Sequence, residues 1–179
     1  MSIIKHDFEK MNITKIKQSK NNKKLTVITA YDALFSNLFS KSADMILVGD
    51  SLNMSFMGKS DTLSATLDQM IYHTKAVCNG AKDAFVITDM PFATYINKDE
   101  ALKNCARVYQ ETLASAVKIE GGEDKADIIK HLTSNAIAVM GHIGLMPQYV
   151  RSEGGYKVRG KTHQDEKHLI EDAIAVEKA

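Results

Sequence analysis

The sequence predicts a parallel α/β fold, and three observations predict it. Short apolar runs alternate with stretches whose apolar residues recur at helical spacing, giving five strands and six helices. The runs are nearly continuous in apolar character, as strands buried on both faces are. Four of them end on a residue able to bind a metal or move a proton, namely Asp50, Asp89, Glu120 and His142. With right-handed crossovers, such folds gather ligands at the carboxyl ends of their strands, so those four residues are expected at one mouth.

Residues 1–24 are polar, with a short helix expected over 12–19 that Asn12 caps, closing one end of the core. The first strand is expected over 25–30. Tyr31 and Asp32 then lead into a helix carrying Ala33, Leu34, Leu38 and Phe39 on one side. The second strand, 44–48, stops at Gly49-Asp50-Ser51. Residues 51–64 read as a long loop rich in Ser, Met and Gly, and long loops without structure of their own tend to be functional. Thr66 and Gln69 spell a capping box for the next helix, whose buried stripe is Met70, Ile71, Thr74, Val77 and Cys78.

Gly80 ends that helix, and the third strand runs over 84–89. Asn97 with Glu100 marks a helix start, followed by Leu102, Ala106, Tyr109 and Leu113 at helical spacing. The fourth strand, 114–120, closes on Glu120-Gly121-Gly122. A helix through Asp127, Ile128, Ile129 and Leu132 leads to the fifth strand, 136–142. A second long loop, 143–161, separates it from a final helix capped by Thr162, with Leu169, Ile170, Ala173 and Ile174 inward. Side chains two apart share a face of a strand. On that rule Ile46, Val48 and Asp50 form one set, Phe85, Ile87 and Asp89 an equivalent one, and Lys118 and Glu120 lie opposite Val117 and Ile119.

With 179 residues, 44% of them hydrophobic and 25% charged, the chain has apolar material for one good core. A formal charge of +1 argues against nucleic acid as a partner. The lysines at 15, 17, 20, 23 and 24 read as a solvated face. Cys78 and Cys105 form no CxxC pair, which points away from a disulfide framework or a zinc site and toward a reduced, cytoplasmic setting. The opening ten residues lack the apolar run of a signal peptide, and no later run has membrane-spanning length, so a soluble protein without a membrane partner is expected.

Asp50, Asp89 and Glu120 supply hard oxygen ligands that are costly to bury without a cation. Mg²⁺ suits them, because it takes one or two carboxylates and leaves positions for substrate. Lys118 would place a positive charge beside a substrate carboxylate or a developing enolate oxygen, and His142 could donate a hydrogen bond or move a proton. Together they suit a 2-oxo acid chelated through its carboxylate and ketone. A single Asp at a strand end is more often a turn former or helix cap. Three carboxylates with Lys118 at equivalent ends favour a site. His73 reads as a structural hydrogen bonder, and the Gly121-Gly122 and Gly154-Gly155 pairs as turns.

The assembled motifs resemble the ketopantoate hydroxymethyltransferase (3-methyl-2-oxobutanoate hydroxymethyltransferase) family. They are Thr29-Ala30-Tyr31-Asp32, Leu47-Val48-Gly49-Asp50-Ser51-Leu52, the run from Thr66 to Val77, Asp89-Met90-Pro91-Phe92, Val117-Lys118-Ile119-Glu120-Gly121-Gly122, Gly141-His142-Ile143-Gly144-Leu145 and Gly154-Gly155-Tyr156-Lys157-Val158. The resemblance implies a (β/α)8 TIM barrel of the phosphoenolpyruvate/pyruvate type in a large homo-oligomer, often a decamer. It implies hydroxymethyl transfer from 5,10-methylenetetrahydrofolate to 3-methyl-2-oxobutanoate, giving 2-dehydropantoate for pantothenate and coenzyme A synthesis through a Mg²⁺-stabilised enolate.

By the same resemblance Asp50, Asp89 and Glu120 are the Mg²⁺ positions, Glu120 acting directly or through water. Asp50, Ser51, Asp89 and Lys118 are the 2-oxo acid contacts, and His142 lies near the pocket. Asn53 stands where the family usually has Gly, and Met146 where it usually has Thr. A barrel of this type needs about 250 residues, so residues 1–179 are expected to form one barrel domain lacking its C-terminal part. The family's Glu base is expected beyond Ala179. The competing expectations are a Mg²⁺-dependent lyase or mutase of the same superfamily, a non-catalytic fragment, and a doubly wound five-stranded binding or assembly module.

Overall fold

The strands β1 (Val27–Thr29), β2 (Met45–Val48), β3 (Phe85–Asp89), β4 (Ala116–Glu120) and β5 (Val139–His142) form a single sheet, all parallel, in the spatial order of the chain. This computed structural model describes residues 10–179; the opening segment read for its lack of an apolar run lies, through residue 9, outside the described residues. A doubly wound sheet reverses strand order at a switch point. No reversal occurs here, which removes the doubly wound module from the competing expectations.

Between the strands lie α2 (Ala33–Phe39), α4 (Leu67–Gly80), α5 (Lys98–Glu111) and α6 (Glu123–Ser134), with α1 (Ile13–Ser19) before the sheet and α7 (His163–Lys178) after it. The expected caps are made. Asn12 Oδ1 accepts from the Lys15 amide at 3.0 Å, Asn97 Oδ1 from that of Glu100 at 2.9 Å, and Thr162 Oγ1 from that of Asp165 at 3.2 Å. Thr66 and Gln69 form the reciprocal capping box, at 2.8 and 3.2 Å. Within 51–64 the chain also winds into a one-turn helix, α3 (Leu52–Ser55), that the reading as plain loop missed. Asn53 fixes it: buried, its amide donates to Asp61 O and Ser64 Oγ, both at 2.9 Å, folding the loop back on itself.

The sheet has two apolar faces. One packs Ile46, Val48 and Val86 against Met70 and Val77 of α4, and Val117 and Ile119 against Cys105, Val108 and Leu132 of α5 and α6. The other gathers Met45, Phe85, Ile87 and Ala116, with Met11 and Ile16 of the α1 region covering one end of it, as expected. Each of these large side chains stabilises the fold by about 1.5–3 kcal/mol through burial.

The stripes differ from expectation where a helix lacks a neighbour. Helices α2, α4, α5, α6 and α7 pack each against the next, so α2 and α7 close the row. Leu34 of α2 is 77% exposed, and Ile170 and Ile174 of α7, expected inward, are half exposed. On α5 the buried line is Ala101, Cys105 and Val108, one position off the predicted stripe, and Leu113 lies outside the helix and exposed. No helix among the described residues is long and apolar enough to cross a membrane.

Candidate active site

Register sets the site. In parallel strands, paired residues on one face stand side by side, and β3 and β4 pair Asp89 with Lys118 while β4 and β5 pair Glu120 with His142. Two rows of polar groups therefore rise from the C-terminal ends of the strands, on the Phe85 and Ile87 face. Asp89, Lys118 and Glu120 are all buried. The Lys118 ammonium lies 3.1 Å from Asp89 Oδ1, 2.9 Å from His142 Nδ1 and 3.8 Å from Glu120 Oε1.

Asp50 arrives by another route. Ile46 and Val48 face the helices, whereas Phe85, Ile87 and Asp89 face the opposite side, so the expected equivalence of the two sets does not hold. Strand β2 ends at Val48 and the chain bends through Gly49, where a Cβ would stand 2.8 Å from Ser51 Oγ. The bend turns Asp50 over the sheet end, and its amide donates to Asp89 Oδ2 at 3.1 Å. Ser51 follows, its hydroxyl paired with that of Tyr31 at 2.8 Å.

Gln148, which sequence reasoning missed, closes the group. It lies in a 3-10 turn, Pro147–Tyr149, within the long loop after β5. Its backbone amide donates to Glu120 Oε2 at 2.9 Å, and its side-chain amide donates to Asp50 Oδ2 and Met90 O, both at 2.9 Å. The Tyr95 hydroxyl donates to Gln148 Oε1. Pro147 and the length of the loop were the available signals. Beside Gln148 a cleft of about 260 Å³ opens between Phe92, Ile96 and Tyr149. Ala93 on its wall holds a left-handed φ of 64°, rare for a residue with a Cβ.

Three carboxyl groups share this space with one ammonium. Burial first, then the neighbouring Asp89, raises the Asp50 carboxyl to about 7. Asp89 is also raised, burial outweighing the opposing pull of Lys118. His142 Nδ1 lies 2.9 Å from the Lys118 ammonium and 3.2 Å from Glu120 Oε1. A bare Nδ1 accepts from Lys118, and a protonated one donates to Glu120, so the two contacts are alternatives.

Among the described residues, no group of three or more His, Cys, Asp or Glu side chains comes together to hold a metal. Glu120 has Oε2 engaged by Gln148 and Oε1 facing Lys118 and His142. The two aspartates differ. Each gives one oxygen to a neutral amide donor, and Asp89 Oδ1 is buried without a hydrogen bond, the Lys118 ammonium alone beside it. Two crowded carboxylates, with a single ammonium between them and Glu120, fit a cation that takes one or two carboxylates and fills its shell with water or substrate.

A family model described as ketopantoate hydroxymethyltransferase matches residues 10–179. The 3-methyl-2-oxobutanoate hydroxymethyltransferase of Aliarcobacter butzleri is 84% identical over the whole chain, which covers 66% of that protein. The enzyme of the same name from Helicobacter pylori (strain ATCC 700392 / 26695) is 54% identical, with the same coverage. The chain thus spans about two thirds of the length of these curated relatives. Among solved structures, phosphonopyruvate hydrolase superposes with a TM-score of 0.68 at 12% identity over 94% of this chain and 60% of its own. 2,3-Dimethylmalate lyase, a PEP mutase/isocitrate lyase superfamily member, gives 0.60 at 16% over 90% and 60%. The five parallel strands and their helices thus have the fold of part of that superfamily's barrel.

Proposed function

The chain belongs to the ketopantoate hydroxymethyltransferase family, and from that premise we propose that the whole protein transfers a hydroxymethyl group from 5,10-methylenetetrahydrofolate to 3-methyl-2-oxobutanoate. The product is 2-dehydropantoate, a precursor for pantothenate and coenzyme A. The single observation that carries the reading is the buried cluster at the strand ends, where Asp50, Asp89 and Glu120 surround the Lys118 ammonium. Such an acidic cluster suits a divalent cation, and through it a small anion with two oxygens, better than a neutral ligand.

In this reading Asp50 and Asp89 would hold Mg²⁺, with Lys118 balancing the charge of Asp89, and Glu120 would act on the cation's shell through water. Bound there, the cation supplies a Lewis acid that makes the C–H beside the oxo acid's ketone more acidic. Lys118, itself buried, holds the negative oxygen that develops on the substrate. Ser51, its hydroxyl oriented by Tyr31, donates to the substrate carboxylate. His142 stands beside Lys118 and Glu120, within hydrogen-bond reach of both. The base that removes the C3 proton is assigned to a Glu on a strand after residue 179. The protein works as a cytoplasmic homo-oligomer, a decamer in this proposal.

The test is a one-carbon transfer assay on the whole protein with a panel of 2-oxo acids, with and without chelator. Consumption of methylenetetrahydrofolate with 3-methyl-2-oxobutanoate, abolished by chelation, is the expected result. Cleavage of a carbon–carbon or carbon–phosphorus bond without use of the folate would point to a lyase or mutase and overturn the assignment.

A further inference from the structure

Gln148 is the residue through which the loop after β5 touches two of the three buried carboxyl groups at once. Its amide orientation is fixed by chemistry: the Met90 carbonyl oxygen can only accept, so the NH2 group faces it and Asp50 Oδ2, and Oε1 faces the Tyr95 hydroxyl, which donates. Neither Asp50 nor Glu120 makes a hydrogen bond through those oxygens to any other side chain among the described residues. The turn bearing Gln148 is itself anchored, because the Tyr149 hydroxyl donates to Asp124 at 3.2 Å and Arg151 pairs with Asp61 at 2.9 Å. Rotation of the Asp50 carboxyl is thus stopped by one amide, and that amide is stopped by a phenol.

We infer that Gln148, oriented by Tyr95, is a positioning residue for the divalent cation, an inference that rests on the cation reading above. Its side-chain amide takes Oδ2 of Asp50 and its backbone amide takes Oε2 of Glu120, which fixes the Asp50 carboxyl while keeping Glu120 engaged. The three carboxyl groups are thereby sorted into a pair that holds the ion and a third that does not. Gln148 touches no reacting atom in this arrangement. Partners that orient a metal-holding carboxylate typically change metal affinity by about 10- to 100-fold when removed.

The test is Mn²⁺ binding, followed by loss of the free-ion paramagnetic resonance signal, on the whole protein and its Gln148→Met and Tyr95→Phe variants. Melting temperatures in chelator are recorded alongside. Met fills the space of Gln and keeps the backbone amide on Glu120, but its side chain donates nothing to Asp50, so binding should weaken by about 10-fold or more. Tyr95→Phe keeps Gln148 and only frees its amide, so the loss should be about three-fold. A purely structural role would lower the melting temperature and leave Mn²⁺ affinity unchanged in whatever protein remains folded. Mn²⁺ affinities within about two-fold of the unsubstituted protein would overturn the inference, and if Gln148→Met does not fold, Tyr95→Phe decides alone. Failure of the unsubstituted protein to bind Mn²⁺ would instead overturn the cation reading, and this inference with it.

Discussion

Asp50 is a carboxyl that the fold prefers to keep neutral unless a cation is supplied. In the unfolded chain it ionises near 3.8, while in the folded chain burial, and then Asp89, moves that point to about 7. Between about pH 4 and 7 the folded state therefore holds a proton that the unfolded state has released. Stability of the cation-free protein should be greatest at the acid end of that window and fall until about pH 7, with Asp89 acting in the same direction. Melting curves in chelator should show the fall. Asp50→Asn should flatten it, and Mg²⁺ should reverse it at pH 8. Lys118→Met should do the opposite of relief, because it leaves Asp89 and Glu120 facing each other without their ammonium. A cost of about 3–5 kcal/mol in urea unfolding is expected, with hydroxymethyl transfer reduced by at least about 100-fold. Asp89, Lys118 and Glu120 were legible in the sequence because strand alternation alone places them together. Asp50 was legible as a residue but not by its route, which depends on the bend at Gly49. Gln148 left only the faint signals of Pro147 and a long loop, being uncharged and on a path no periodicity describes.

At the scale of the element, the helices begin where their capping residues say they should. Thr66→Ala removes one half of a reciprocal box and should destabilise the protein by about 1 kcal/mol, measured by chemical denaturation. Contact between α2 and α4 is closer than sequence suggests: a Cβ on Gly80 would lie 2.1 Å from the Ala33 carbonyl oxygen, and Ser36 Oγ reaches Val77 O at 3.0 Å. Gly80→Ala should therefore cost about 1–3 kcal/mol by overpacking, although Ala is the better helix former. The stripe of α4 was read correctly because that helix has neighbours on both sides. The outer faces of α2 and α7 were not, since periodicity reports how many apolar residues align and not whether anything is there to meet them.

At the scale of the molecule, the sheet has two outer strands. β1 pairs only with β2 and β5 only with β4 among the described residues, and every residue of β5 is half-buried. Unpaired strand edges invite association with other chains. A polypeptide made as residues 1–179 alone should therefore self-associate in light scattering, whereas one extended to the length of the curated relatives should form a discrete oligomer. The fold class was legible at this scale because parallel strands buried on both faces read as apolar blocks, and the direction of winding became visible only in the strand order. That order also bears on how the protein is made. Each strand docks on the one synthesised just before it, so units can settle in turn as the nascent chain leaves the ribosome, with no early segment waiting for a distant partner. Residue 148, which reaches back 98 positions to Asp50, emerges late, and until it does the Asp50 carboxyl lacks its amide donor.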